Sequence, residues 1–113
     1  MKENKLIDYS MSLSVSIVKL CNTLHGNSVL KNQLLRSATS VGANIREANY
    51  AQSNADFISK FQIALKECYE TEYWLELFIN AEIAPKEVIR PHLDLCGTIR
   101  RMLISSINTM KSK

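Results

Sequence analysis

A chain of 113 residues is long enough to close one hydrophobic core and too short for two ordinary domains, so a single domain spanning 1–113 is expected. Apolar residues make up 46%, Gly and Pro number 3 and 2, and no segment is compositionally biased, which excludes wholesale disorder. The net charge of +3 is unevenly spread: +1 over residues 1–25, +2 over 26–52, −4 over 53–82 and +4 over 83–113. An acidic third segment and a basic fourth can pack on each other or leave a basic surface open to phosphates.

Cys21, Cys68 and Cys96 are odd in number, far apart and set among apolar residues, which argues against a disulfide framework. The N-terminal stretch is broken by four serines and Lys19, leaving neither a signal-peptide core nor a run long enough to span a membrane. A cytoplasmic protein is expected.

The first element poses a conflict. Ser10, Ser12, Ser14 and Ser16 alternate with Met11, Leu13, Val15 and Ile17, which alone is a strand pattern. Over the longer window Leu6, Tyr9, Leu13, Ile17, Leu20 and Leu24 keep a three-and-four spacing, and no second strand is on offer, so a helix over about 5–25 is predicted. A second apolar set, Ile7, Met11, Val15, Val18 and Cys21, falls on another side of that helix. A four-helix bundle surrounds none of its helices completely, so the second stripe points to a neighbouring subunit.

His25-Gly26-Asn27-Ser28 reads as a stop and restart, with Gly26 in the left-handed position and Asn27 or Ser28 as cap. The next helix, about 28–51, carries Leu30, Leu34, Ala38, Val41, Ile45 and Ala48 on one face. Gly42 in its interior costs about 0.8–1 kcal/mol relative to Ala, which predicts a close helix crossing there. Ser53 followed by Asp56 resembles a capping box for a helix over 55–81, with Phe57, Phe61, Ala64, Cys68, Thr71, Leu75 and Phe78 as its core stripe. Pro85 suits the first position of a helix over 86–110, and Pro91 either kinks it or marks the start of its main part. Leu95, Ile99, Met102, Leu103, Ile107 and Met110 sustain its period. The fold class is therefore all-α: an antiparallel up-down four-helix bundle.

Chemistry is harder to find. His25 and His92 have no second ligand at metal spacing, HxxxH, CxxC and ExxH are absent, and the nucleophile and phosphate-loop signatures GxSxG, GxxxxGK and GxGxxG are missing. No catalytic residue, metal or cofactor is expected. Glu67, Glu70, Glu72 and Glu76 make one acidic surface. Arg36 and Arg46, with Arg90, Arg100 and Arg101 near the C-terminus, are the candidates for phosphate contacts with RNA or DNA. The competing candidate is a protein-binding surface of Ile7, Met11, Val15, Tyr69, Tyr73 and Trp74.

The stretch Gln33-Leu34-Leu35-Arg36-Ser37-Ala38-Thr39-Ser40-Val41-Gly42-Ala43-Asn44-Ile45-Arg46-Glu47-Ala48, with Asp56-Phe57-Ile58 and Ala64-Leu65-Lys66-Glu67, resembles the bacterial four-helix-bundle proteins encoded in intervening sequences of 23S ribosomal RNA genes. That family is itself similar to accessory proteins of diversity-generating retroelements. The resemblance implies a homo-oligomer, a pentameric ring of antiparallel bundles, and for the retroelement relatives binding of nucleic acid and a reverse transcriptase through basic surfaces. The residues it carries over are Arg36, Ser40, Asn44 and Glu47, spaced along one side of the second helix. They are either register-setting contacts, with Asn44 and Glu47 satisfied by the third helix or a neighbouring subunit, or, for Arg36, a phosphate contact. Where many relatives place a glycine and basic residues next, this chain has Ala48-Asn49-Tyr50-Ala51-Gln52. The expected function is a non-enzymatic assembly or accessory protein with weak, salt-sensitive nucleic-acid affinity, and the alternative is a scaffold that binds only protein.

Overall fold

A computed structural model of the chain describes residues 2–113, and side chains from Lys5 onward. Four helices form: α1 Lys2–Thr23, α2 Ser28–Ala48, α3 Asn54–Asn80 and α4 Lys86–Lys111. The molecule measures 46 × 19 × 19 Å, and α3 with 27 residues is about 40 Å long at 1.5 Å per residue, so the helices run along the long axis. Each consecutive pair packs together and α1 closes the ring against α4, while the diagonal pairs do not meet.

Cross-helix contacts fix the direction of each neighbour. Along α2 from Arg36 to Glu47, the partners on α3 descend from Glu67 and Glu70 to Lys60. Lys31 at the start of α2 meets Leu24 at the end of α1, and Gly42 further along meets Ser10. Against α4, His92 bonds Ser16, whereas Leu6 shares a groove with Met102. Neighbours are antiparallel, the up-down bundle expected from the periodicity.

Predicted and observed core stripes agree most closely on α3, where Phe61, Ala64, Cys68, Thr71, Leu75 and Phe78 are buried. On α2 the buried set is Leu34, Ser37, Ala38, Val41, Ile45 and Ala48. On α4 Leu95, Met102 and Met110 are half-buried, and Ile89 and Cys96 join Ile99, Leu103 and Ile107 in the core. On α1 the difference is local. Ser10 is buried where Tyr9 was expected, and Cys21 belongs to the core and not to the outer stripe. The cause lies across the interface: a methyl group on Gly42 would come within 3.4 Å of Ser10 Oγ and 3.5 Å of its carbonyl oxygen, so α1 and α2 cross at a small-on-small contact that a tyrosine would overfill.

Helix ends follow local chemistry. Gly26 has φ 72° and Asn27 φ 54°, the left-handed region, and Asn27 caps α2 through its backbone carbonyl, with no side-chain capping bond. Ser53 Oγ accepts from the Asp56 amide at 3.1 Å, while Asp56 reaches back to the Gln52 amide at 3.2 Å, one residue beyond the usual box. Pro85 is the cap residue before α4, one position earlier than expected, and α4 runs unbroken through Pro91.

Candidate nucleic-acid interface

The polar stripe of α2 lies beside α3. Arg36 reaches Glu67 at 3.5 Å and also pairs with Glu70, whose carboxylate accepts from Trp74 Nε1 at 3.1 Å. The Trp74 N–H and the Arg36 guanidinium hold the Glu70 carboxyl below its ordinary value. Glu47 pairs with Lys60 at 3.1 Å, whereas Asn44 turns back on its own helix, donating to the Ser40 carbonyl at 2.9 Å and lying 3.2 Å from its hydroxyl. Beneath the stripe the buried hydroxyls of Ser37 and Thr71 are 2.9 Å apart, joining α2 to α3 inside the core. The four residues carried over by resemblance are therefore all engaged within one molecule. Arg36, a candidate for phosphate, already faces two carboxylates.

The opposite flank of α3 differs. In the cleft between α3 and α4, Arg90, Arg100 and Arg101 come together with Glu72, Glu76, Asp94 and Gly97, around a depression of about 380 Å³. Arg100 is committed to Glu72 at 3.2 Å, and its guanidinium lies 5.8 Å from the centre of the Tyr69 ring. Arg101 donates to the Thr98 hydroxyl at 3.3 Å. Among the described residues neither Arg90 nor Arg101 has a carboxylate within 4 Å. Arg46 is exposed on α2 and lines the separate groove between α1 and α2.

The six residues proposed for a protein surface divide in two. Ile7, Met11 and Val15 lie on α1, with Ile7 half-buried, and Tyr69, Tyr73 and Trp74 lie on α3, which α1 does not touch. Trp74 is half-buried against the core, its ring edge-on to Tyr73 at 5.1 Å. Tyr69 and Tyr73 remain exposed, and Tyr69 joins the arginine cleft through Arg100. On α1, Met11, Val15 and Val18 are exposed beside a shallow groove that Ser10, Ser14, Gly42 and Ala43 also line.

The thiols lie inside the bundle. All three cysteines are free and buried, burial pushes the Cys21 thiol up, and the hydrogen bond with Cys68 followed by burial pushes the Cys96 thiol up, so both stay protonated at neutral pH. His92 Nδ1 lies 3.1 Å from Ser16 Oγ between α1 and α4, and burial lowers its pKa, favouring the neutral ring. No group of three potential metal ligands occurs, and no helix is long and apolar enough to cross a membrane, among the described residues.

Comparison with known proteins places the fold in a family. The model of the 23S rRNA-intervening sequence proteins matches residues 2–105. The chain belongs to that family. A 1.70 Å crystal structure from Bacteroides thetaiotaomicron VPI-5482, described as a protein with unknown function from the S23 ribosomal protein family, is 48% identical. The match covers 96% of this chain and 99% of that one, with a TM-score of 0.90. No curated protein matches. Neither comparison indicates an enzymatic family.

The pairing of Glu72 with Arg100 is not legible in the sequence at the residue level, although the acidic third and basic fourth segments point to contacts of that kind. Gly97 was missed altogether. It is interior to α4, where glycine costs about 0.8–1 kcal/mol, so the reasoning that singled out Gly42 applied equally there.

Proposed function

We propose that the protein is a non-enzymatic, self-associating, cytoplasmic bundle with weak electrostatic affinity for RNA or DNA, acting as an assembly or accessory factor. The observation that carries the nucleic-acid part is the α3/α4 cleft, where three arginines gather and two have no carboxylate within 4 Å among the described residues. Neutralising backbone phosphates releases counterions, so affinity through such a cleft falls steeply with salt. The nearby carboxylates keep it weak. Self-association is supported by the exposed apolar stripe Met11, Val15 and Val18 on α1, of which Met11 lines the groove that runs past Gly42. The family resemblance sets a pentamer as the expected assembly, and a ring would repeat one modest cleft several times.

A titration of the protein into labelled structured RNA and DNA at about 50 and 200 mM salt, followed by fluorescence anisotropy, tests this reading. Wild type is expected to bind and to weaken steeply with salt, and Arg90→Ala/Arg101→Ala to bind less tightly at both. No binding at low salt, by protein that light scattering finds oligomeric, would overturn it. That result would favour the second reading, a scaffold that docks a protein on the α1/α2 groove.

A further inference from the structure

Two features of the α3/α4 cleft are not explained by a merely basic surface. The first is Gly97. At Gly42 the missing side chain is repaid by a close helix crossing, but at Gly97 the nearest groups are side-chain ends: a methyl there would lie 3.3 Å from Arg101 Nη1, 3.5 Å from Arg100 Nη2 and 3.9 Å from Glu72 Oε2. The glycine opens a notch in α4 over which two guanidinium groups are folded, that of Arg100 held by Glu72 and that of Arg101 bonded to the Thr98 hydroxyl. The second is the ring beside it. Tyr69 on α3 is 51% exposed with the Arg100 guanidinium 5.8 Å from its centre, whereas Tyr73, one turn on, meets Trp74.

We infer that this cleft binds single-stranded nucleic acid, with a backbone phosphate seated at the Gly97 notch against Arg101 and an unpaired base stacked on Tyr69. The inference rests on the nucleic-acid reading above and adds the strand class and the site. Guanidinium forks match the geometry of phosphate oxygens. Aromatic platforms next to cations are how proteins hold single strands without reading their sequence, because every base has a face to stack. In a duplex those faces are already covered by neighbouring pairs, so the tyrosine adds nothing there. Glu76 and Asp94, at the same cleft and without a cation within 4 Å among the described residues, work against the bound phosphate. They set a ceiling on affinity that neutral substitutes should lift.

The test uses the full chain and fluorescent oligo-U and oligo-dT strands, with a mixed-sequence duplex of equal length. Single strands are expected to bind about tenfold more tightly than the duplex, and Tyr69→Ala to remove that advantage while leaving duplex affinity unchanged. Gly97→Ala adds no charge and favours the helix, so it should melt no lower than wild type yet weaken binding severalfold. Glu76→Gln/Asp94→Asn should strengthen binding severalfold. If Arg90→Ala/Arg101→Ala weakens binding but strand and duplex are bound alike and the Tyr and Gly97 variants change nothing, the electrostatic reading stands and this site falls. Failure of wild type to bind any of the three probes at about 50 mM salt would sink both.

Discussion

On the side of α3 that meets α2, cations and carboxylates are matched: Arg36 serves Glu67 and Glu70, Lys60 serves Glu47, and Trp74 adds a donor to the same cluster. On the side that meets α4, Arg100 pairs with Glu72, but Arg90, Arg101, Glu76 and Asp94 find no opposite charge within 4 Å among the described residues. Similar residue types thus give a latch on one flank and an open cleft on the other. The difference is one of small geometry. The α2/α3 seam is tied from within by the Ser37–Thr71 hydroxyl contact and fills its outer edge with long side chains, whereas the α3/α4 seam carries a glycine where a side chain would have filled the edge.

Destroying the shared wall should abolish both flanks. Phe61→Ala removes a fully buried ring from α3 and is expected to cost about 3–5 kcal/mol, read as a lower urea midpoint. A smaller effect separates the flanks by pH. The Glu70 carboxyl is held below its ordinary value by Trp74 and Arg36, so it contributes stability that is fully present above about pH 4.5 and is lost as pH falls through its folded pKa. Trp74 fluorescence should therefore change with that acid titration in wild type, and a Glu70→Gln variant should not show it. A Glu72→Gln variant on the other flank should leave the Trp74 signal as it is.

Much of the fold was legible because the bundle obeys a single period. The α3 stripe from Phe61 to Phe78 was read in full, since its apolar residues are large and regularly spaced. Reading failed where small residues decide the contact. Ser10 looks polar and Tyr9 apolar, yet Gly42 on the facing helix makes Ser10 the better core residue, a fact no single helix contains. For the candidate site, composition gave the cations but not their partners. Arg36 and Arg101 read alike in sequence, and only the packing of α2 on α3 supplies one of them with two glutamates. Likewise Tyr69 read as a protein contact, because its neighbour in space, Arg100, lies 31 positions along the chain.

The contrast between those two arginines is the most direct test of the account, and it needs thermal melting and salt-dependent RNA titration of Arg36→Ala and Arg101→Ala side by side. Arg36→Ala is expected to lose up to about 1 kcal/mol of stability, because the pair is half exposed, and to keep the wild-type salt slope. Arg101→Ala is expected to melt within about 0.5 kcal/mol of wild type and to reduce that slope by roughly one. The reverse pattern, with Arg36→Ala lowering the slope and Arg101→Ala leaving it untouched, would contradict the assignment of latch and cleft.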